Sequence, residues 1–377
     1  MNFFQEIQTN YDIKDDTIKI VEMHTCGEPT RIIVKGYPPI KGSTILEKRR
    51  YVQENLDYLR KRIIFDPRGH KDQYGAILIK NSNENGDETV DIGVLFMHNE
   101  GYSTMCGHAT IALGRFLIDS NILNFSNDGQ VRINIECPCG IVPTFVDTIR
   151  LSNGKLQARS DKDVKFHSVP SFAVAINVSI EFKGRKIRVD IAFGGAFYII
   201  ISVKELLPDI VQENYHKIML ENFKYITELA GDLTEKCRNS KEFIQKYIIH
   251  PDNLKQDLNF LYGTIVTNDT YNICIFANRE IDRSPCGSGV SARVALQYAK
   301  GILQLNQTCY YQSIIGNDNK FSGKVIKSLK LQGNGNNNSE EIQAVIVEVG
   351  GKAYYTGVST LIIEKDDTFQ EGFLLPN

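Results

Sequence analysis

The sequence contains no tryptophan and no surplus of either charge: 43 lysines and arginines stand against 45 acidic residues, a formal net charge of −2. A nucleic-acid-binding chain carries a basic excess gathered on one face; the balance here, with no basic stripe, argues against such a partner. No apolar run approaches the ~20 residues a membrane helix needs, so no membrane partner is expected. The opening Met1-Asn2-Phe3-Phe4-Gln5-Glu6-Ile7 lacks a basic region followed by an apolar stretch. It does not read as a secretory signal, and a cytoplasmic location is the expectation. Eight cysteines in 377 residues are too sparse for a disulfide framework and are expected to be free thiols. Cys137-Pro138-Cys139 lacks the spacing and second pair of a zinc ribbon and reads as strand-end packing. No metal is expected.

Two stretches stand out against this plain background. Met105-Cys106-Gly107-His108-Ala109-Thr110 and Ser284-Pro285-Cys286-Gly287-Ser288-Gly289 each place Cys-Gly before an apolar run with helical character. A thiol at a helix N-terminus sits in the positive end of the macrodipole, which favours thiolate and reactivity. Sliding the chain so that Cys286 overlies Cys106 also matches Phe96 with Phe276, Glu100 with Glu280, Gly107 with Gly287 and Ala112 with Ala292. Upstream, Tyr74-Gly75-Ala76-Ile77-Leu78-Ile79 resembles Tyr262-Gly263-Thr264-Ile265-Val266-Thr267 once a loop is shortened. Each copy reads strand, turn, strand, acidic loop, Cys-Gly, helix, the pattern of an internal duplication. The two units are expected at 1–190, carrying Cys106, and 191–377, carrying Cys286, with the C-terminal segment free to pack back on the first half.

Between the motifs, the alternation of Thr17 to Met23 and Arg31 to Val34 predicts a hairpin across Cys26-Gly27-Glu28-Pro29, a polar turn in which Cys26 could face a site. Apolar positions at Leu46, Tyr51, Val52, Leu56 and Leu59 predict one amphipathic helix over 43–62. Arg68 and His70 lie in a loop and more often solvate one than bind. Strands follow at 76–80, 92–97, 131–135, 140–146 and 164–170, then a strand through Asp190 broken at Gly194-Gly195, where a bulge or close backbone approach is expected. Helices are expected over 211–229 and 240–249, and an exposed polar turn over 332–339. The roles of Cys26, His70 and Asp190 stay open at this point.

Two thiols facing one small cavity from opposite sides could remove a proton from a carbon and supply another from the far face, inverting a stereocentre without a cofactor. The N–H groups of Gly107, His108, Gly287 and Ser288, at two helix N-termini, would hold the substrate carboxylate and stabilise charge developing at Cα. Asp282 would accept from the substrate ammonium, the alternative being a loop salt bridge to Arg283. His108 could contact the ligand or set the neighbouring thiol's pKa, or be structural.

Met105-Cys106-Gly107-His108 together with Asp282-Arg283-Ser284-Pro285-Cys286-Gly287-Ser288-Gly289 resembles the proline racemase family, over about Val21 to Leu375. That family includes hydroxyproline 2-epimerases and trans-3-hydroxy-L-proline dehydratases. The resemblance implies an α/β (α+β), diaminopimelate epimerase-like fold: two similar domains, each wrapping a sheet around a central helix, with the site in the cleft between. It further implies Cys106 and Cys286 as the proton-transferring pair, no cofactor, the motif backbone on the carboxylate, and Asp282 and His108 in contact with a proline-type amino acid. A homodimer and a monomer are equally compatible with it.

Asn99 to Ala109 and Ala112 to Phe116 look most like the animal-type dehydratases, which carry threonine where this chain has Cys286. Inversion needs an acid/base on both faces of Cα, and threonine is too weak for that. Cys286 therefore places racemisation or 2-epimerisation first. Dehydration is the alternative, with one thiolate taking the Cα proton and the other thiol protonating the departing 3-hydroxyl. A non-catalytic binding protein and a thiol peroxidase are remoter readings. Tyr102, Ser103 and Phe276 are candidate pocket walls.

Overall fold

The computed structural model describes residues 17–80, 90–125, 128–208, 215–268, 270–316, 320–332 and 341–375. The opening heptapeptide and the polar run beyond Gln332 lie outside them. Strands β1 (Thr17–Thr25) and β2 (Glu28–Lys35) form the expected hairpin across Cys26-Gly27. Two outer helices follow, α1 (Ile45–Asn55) and α2 (Asp57–Ile64). The single helix expected over 43–62 thus breaks at Leu56 (φ −126°, ψ 13°), where Asn55 and Asp57 are poor helix-interior residues that favour ends. Thr44 and Glu47 form a reciprocal capping box at the start of α1.

The remainder of the first half is β3 (Gly75–Ile79), β4 (Ile92–Met97), β5 (Tyr102–Ser103), α3 (Gly107–Asp119), β6 (Gly129–Cys137), β7 (Gly140–Arg150), β8 (Leu156–Ala158) and β9 (Val164–His167). Then come β10 (Ser171–Phe182), β11 (Arg185–Phe193), β12 (Phe197–Ser202) and α4 (Val203–Leu206). The helices α5 (Tyr215–Glu221), α6 (Phe223–Arg238) and α7 (Lys241–Tyr247) lead to β13 (Leu261–Asn268), β14 (Tyr271–Phe276), β15 (Glu280–Asp282) and α8 (Gly287–Ala299). Strands β16 (Thr308–Ser313), β17 (Lys320–Gln332), β18 (Glu341–Gly351) and β19 (Ala353–Ile362) complete the fold. The helix expected from 211 begins, within the described residues, at Tyr215 and is interrupted at Asn222, whose side-chain amide donates to the Ile218 carbonyl. Residues 211–214 lie outside the description.

The duplication is visible in the pairing. In the first half β2 runs parallel to β3, β3 pairs antiparallel with β4, β4 antiparallel with β5 and parallel to β6, and β6 antiparallel with β7. In the second, β12, β13, β14, β15, β16 and β17 repeat that series of orientations. Each set of strands wraps its own helix, α3 or α8. Both helices are buried nearly all round, which explains why neither shows a polar face.

Strand β18 links the two halves: along one edge it pairs with β9 and β10, and along the other with β17. Its continuation, β19, pairs along β1 from Thr17 to Thr25. Strands β10 and β11, which run up to and across position 190, pair with each other, β10 also with β18 and β11 with β12. Their alternation marks them as strands but carries no information about which distant strand they will meet. No helix among the described residues is long and apolar enough to cross a membrane.

Candidate active site

Each Cys-Gly motif opens a central helix, Cys106 as N-cap of α3 and Cys286 as N-cap of α8. The two N-termini meet head to head. A methyl group built on Gly107 would lie 2.5 Å from the Cα of Gly287, and one built on Gly287 the same distance from that of Gly107. Only glycine permits this approach, and it brings each cysteine to within one residue of the contact. The expected close approach at Gly194 is present as well, since a methyl there would fall 2.2 Å from the Ser288 carbonyl. The turn before β12 thus rests directly on the first turn of α8.

The two caps are built differently. Cys106 is extended (φ −145°), and its Sγ accepts from the Ala109 N–H at 3.4 Å. Cys286 has φ +66° and ψ 99°, a conformation costly for a residue with a Cβ. The preceding loop holds it there. Ser284 N–H donates to Asp282 Oδ1 (2.8 Å), Cys286 N–H to Ser284 Oγ (3.1 Å), and the buried Asn272 amide to the Pro285 carbonyl (2.9 Å).

Both thiols are nearly closed off, 5% exposed at Cys106 and 4% at Cys286, yet their neighbours are polar. His108 approaches Cys106 Sγ with Nδ1 at 3.1 Å and Nε2 at 3.7 Å. Burial pushes the imidazole down to about 3, so it is neutral. Its bond to the Pro29 carbonyl requires a hydrogen on that ring nitrogen and leaves a lone pair on the other. Thr25 Oγ1 donates to the His108 carbonyl at 2.8 Å and anchors this turn. On the other side, the Tyr198 hydroxyl lies 3.7 Å from Cys286 Sγ and 2.7 Å from Ser288 Oγ.

The expected thiolate-favouring effect of the helix terminus does not prevail at Cys106. Burial pushes its pKa up, and the Ala109 N–H and the Tyr74 hydroxyl only partly offset this. Loss of water around a thiolate outweighs one N–H bond and a partial dipole charge. Burial likewise raises Asp282 to about 6, against the pull of Ser284 and Cys286.

All seven expected site residues, Cys106, Gly107, His108, Asp282, Cys286, Gly287 and Ser288, fall in this one region. Arg283 does not serve as the salt-bridge partner proposed for Asp282; it reaches Glu28 at 3.5 Å and Asp72 at 3.3 Å. Of the candidate walls, Phe276 stacks on Tyr262 with ring centroids 5.1 Å apart and Ser103 bonds the Tyr74 hydroxyl, whereas Tyr102 packs in the outer layer with α1 and α2. Cys26 is buried in the β1–β2 turn within the field of Asp282, which with burial lifts it to about 12, so it stays protonated. His70 is exposed on its loop, and partial desolvation of the ring together with Arg283 lowers its pKa. Arg68 ties the loop to Asp367 (3.2 Å), and Asp190 pairs with Lys300 (2.5 Å); both are structural. Among the described residues no group of three or more His, Cys, Asp or Glu side chains is arranged to hold a metal ion.

Residues the motifs did not announce are Tyr74, Tyr198, Tyr262 and Glu28. Tyr262 lies in the field of both thiols. Glu28 is fully buried, with Oε2 accepting from the Arg283 N–H at 2.7 Å and burial raising its pKa. A signal existed for two of them: Tyr74 and Tyr262 are counterparts in the internal repeat.

Two α+β halves meeting at facing, cysteine-capped helix N-termini form the architecture of proline racemase-type proteins. A hydroxyproline epimerase from Agrobacterium vitis, solved with bound trans-4-hydroxy-L-proline, superposes with a TM-score of 0.77, covering 96% of this chain and 95% of that one at 20% identity. The chain belongs to the proline racemase family, whose description "Proline racemase" matches residues 20–374, and it is an enzyme of that family. Among its relatives are a trans-L-3-hydroxyproline dehydratase of Xenopus tropicalis, 44% identical over 95% of both chains, and the human trans-3-hydroxy-L-proline dehydratase, 42% identical over 97% of this chain and 96% of that one. These relatives favour dehydration, the alternative, over the inversion that Cys286 placed first.

Proposed function

We propose that the protein is a cofactor-independent dehydratase acting on trans-3-hydroxy-L-proline. The observation that carries this is identity of 42–44% along nearly the whole chain with dehydratases of that substrate. The stereochemistry supports it and simplifies the expected mechanism. In the trans L-isomer the Cα hydrogen and the 3-hydroxyl lie on the same ring face, so elimination needs acid/base groups on that face alone. Cys106 takes the Cα proton, since the resemblance implies that threonine suffices at the position of Cys286. The first-turn N–H groups of α3 and α8 hold the carboxylate. Asp282 accepts from the substrate ammonium. Loss of water leaves an enamine that tautomerises to a pyrroline carboxylate. The test is incubation with trans-3-hydroxy-L-proline and detection of that product; its absence, with D-proline forming from L-proline instead, refutes the proposal.

Cys286 is the specific observation behind a second activity, inversion at Cα, because it supplies a thiol beside the same helix contact. Replacing Cys286 by Thr is expected to leave dehydration within about 3-fold of the parent and to remove any inversion of proline or 4-hydroxyproline, by roughly 10³-fold. Both are read by chiral chromatography with the reaction run in heavy water.

A pH dependence follows from Asp282. Its carboxyl must be ionised to receive an ammonium, and in the folded protein it ionises at about 6. kcat/KM is therefore expected to rise with pH through that value, and Asp282→Asn to lose this limb. Because the folded pKa lies above the ordinary carboxylate value, the folded state binds this proton more tightly. Its contribution to stability is thus present at low pH and lost as pH rises towards 6.

A further inference from the structure

We propose that Tyr74 is the proton donor to the departing 3-hydroxyl, passing to it the proton that Cys106 has taken from Cα. The proposal rests on the dehydratase assignment. Tyr74 immediately precedes β3, is 1% exposed, and sets its ring edge-on to His108 with centroids 4.8 Å apart, beside the thiol that His108 touches at 3.1 Å. Its hydroxyl is bonded to Ser103 Oγ and to Cys106. The effects of these two bonds on Tyr74 have opposite signs, Ser103 lowering its pKa and Cys106 raising it. The phenol thus links Ser103 to Cys106, beside the ring of His108.

Two other donors near Cys106 are committed, which leaves Tyr74 and the Tyr262 hydroxyl, the latter in the field of both thiols. The ring hydrogen of neutral His108 goes to the Pro29 carbonyl, and Thr104 Oγ1 donates to the Gly195 carbonyl at 2.8 Å. The Tyr198 hydroxyl is placed at Cys286, on the other side from the thiol that acts. Elimination on a single face therefore draws on Cys106 and Tyr74 together.

The atoms balance as follows. The first turnover starts once Cys106 has lost its own proton to solvent; the Cα–H bond then breaks and its proton goes to the Cys106 thiolate. The C3–O bond breaks as the oxygen receives the Tyr74 hydrogen, and the Cα electron pair forms the ring double bond. Tyr74 regains a hydrogen from the Cys106 thiol, restoring the thiolate. Burial makes a free tyrosinate unfavourable here, so Tyr74 gives one proton as it accepts the other. Ser103, the hydrogen-bond partner of Tyr74, also lines a cavity of about 360 Å³ with Thr104, Tyr262, His98, Arg49 and Phe260.

The experiment compares three rates in the full-length enzyme and its Tyr74→Phe variant, all in heavy water. These are product formation from trans-3-hydroxy-L-proline, deuterium uptake at Cα of the recovered substrate, and fluoride release from trans-3-fluoro-L-proline, whose leaving group needs far less help from an acid. Tyr74→Phe is expected to slow dehydration by about 10²–10³-fold while exchange and fluoride release fall by less than about 10-fold. Ser103→Ala should show the same separation in milder form and carries the comparison should the phenylalanine variant not fold. Dehydration that is unchanged, or that falls in step with exchange and fluoride release, overturns the assignment and leaves Tyr74 a packing residue. Absence of product from the parent enzyme refutes the dehydratase assignment itself, before any variant is made.

Discussion

Serine in place of Cys106 is expected to reduce turnover of trans-3-hydroxy-L-proline by at least about 10⁴-fold while the protein remains folded. The substitution keeps the size of the cap, and a serine hydroxyl can still accept the Ala109 N–H that Cys106 Sγ accepts at 3.4 Å. What it removes is the base. An alcohol ionises many decades less readily than a thiol, and neutral His108, pushed down to about 3, is too weak a base to compensate. Effects of this order accompany removal of a group on which the other members of a site depend. Steady-state product formation together with a thermal melt checks it. A variant that keeps more than a hundredth of the parent rate would show that another group takes the Cα proton.

Alanine at Gly107 is the second large effect, and it acts through geometry instead of chemistry. Its methyl would sit 2.5 Å from the Cα and 2.8 Å from the carbonyl carbon of Gly287, and 2.9 Å from Phe166 Cζ. Two of these three atoms are backbone, which cannot swing aside as a flexible side chain does. Relief requires the two helix N-termini to separate by about 1 Å, a misplacement that can cost on the order of 10²-fold in rate. Overpacking of this kind costs about 1–3 kcal/mol of stability. We expect kcat/KM to fall by about 10²-fold with a modest drop in Tm, measured by kinetics and calorimetry on the same preparation. Parent-like kinetics would mean that the helix contact does not set the spacing of the site.

The halves, their central helices and the seven motif residues were legible because their signals are local: period-two strands, a Cys-Gly cap, and a repeat that can be checked by sliding the chain on itself. What escaped depends on distant pairing. Nothing in 171–193 announces that β10 will meet β18. Tyr198 is an ordinary strand residue until β12 is laid against β13, which brings its hydroxyl to Cys286. Tyr74 and Tyr262 were in plain view as repeat partners, but an aromatic before a buried strand also suits a core. The choice between inversion and dehydration was not legible for a different reason. Cys286 establishes a capacity, a second acid/base near the site, whereas the substrate decides whether that capacity is used. With the proposed substrate, whose hydrogen and leaving group lie on one face, it would not be needed.

The shared strand β18 and its extension β19 bear on how the protein comes into being. Translation delivers residues 341–362 long after β1 and β9, which need them as neighbours. During synthesis the amino-terminal half must therefore wait, with two strand edges unsatisfied, until the carboxyl-terminal half has left the ribosome. Neither half should survive as a separate polypeptide, and chains interrupted before residue 341 should become clients of chaperones and proteases.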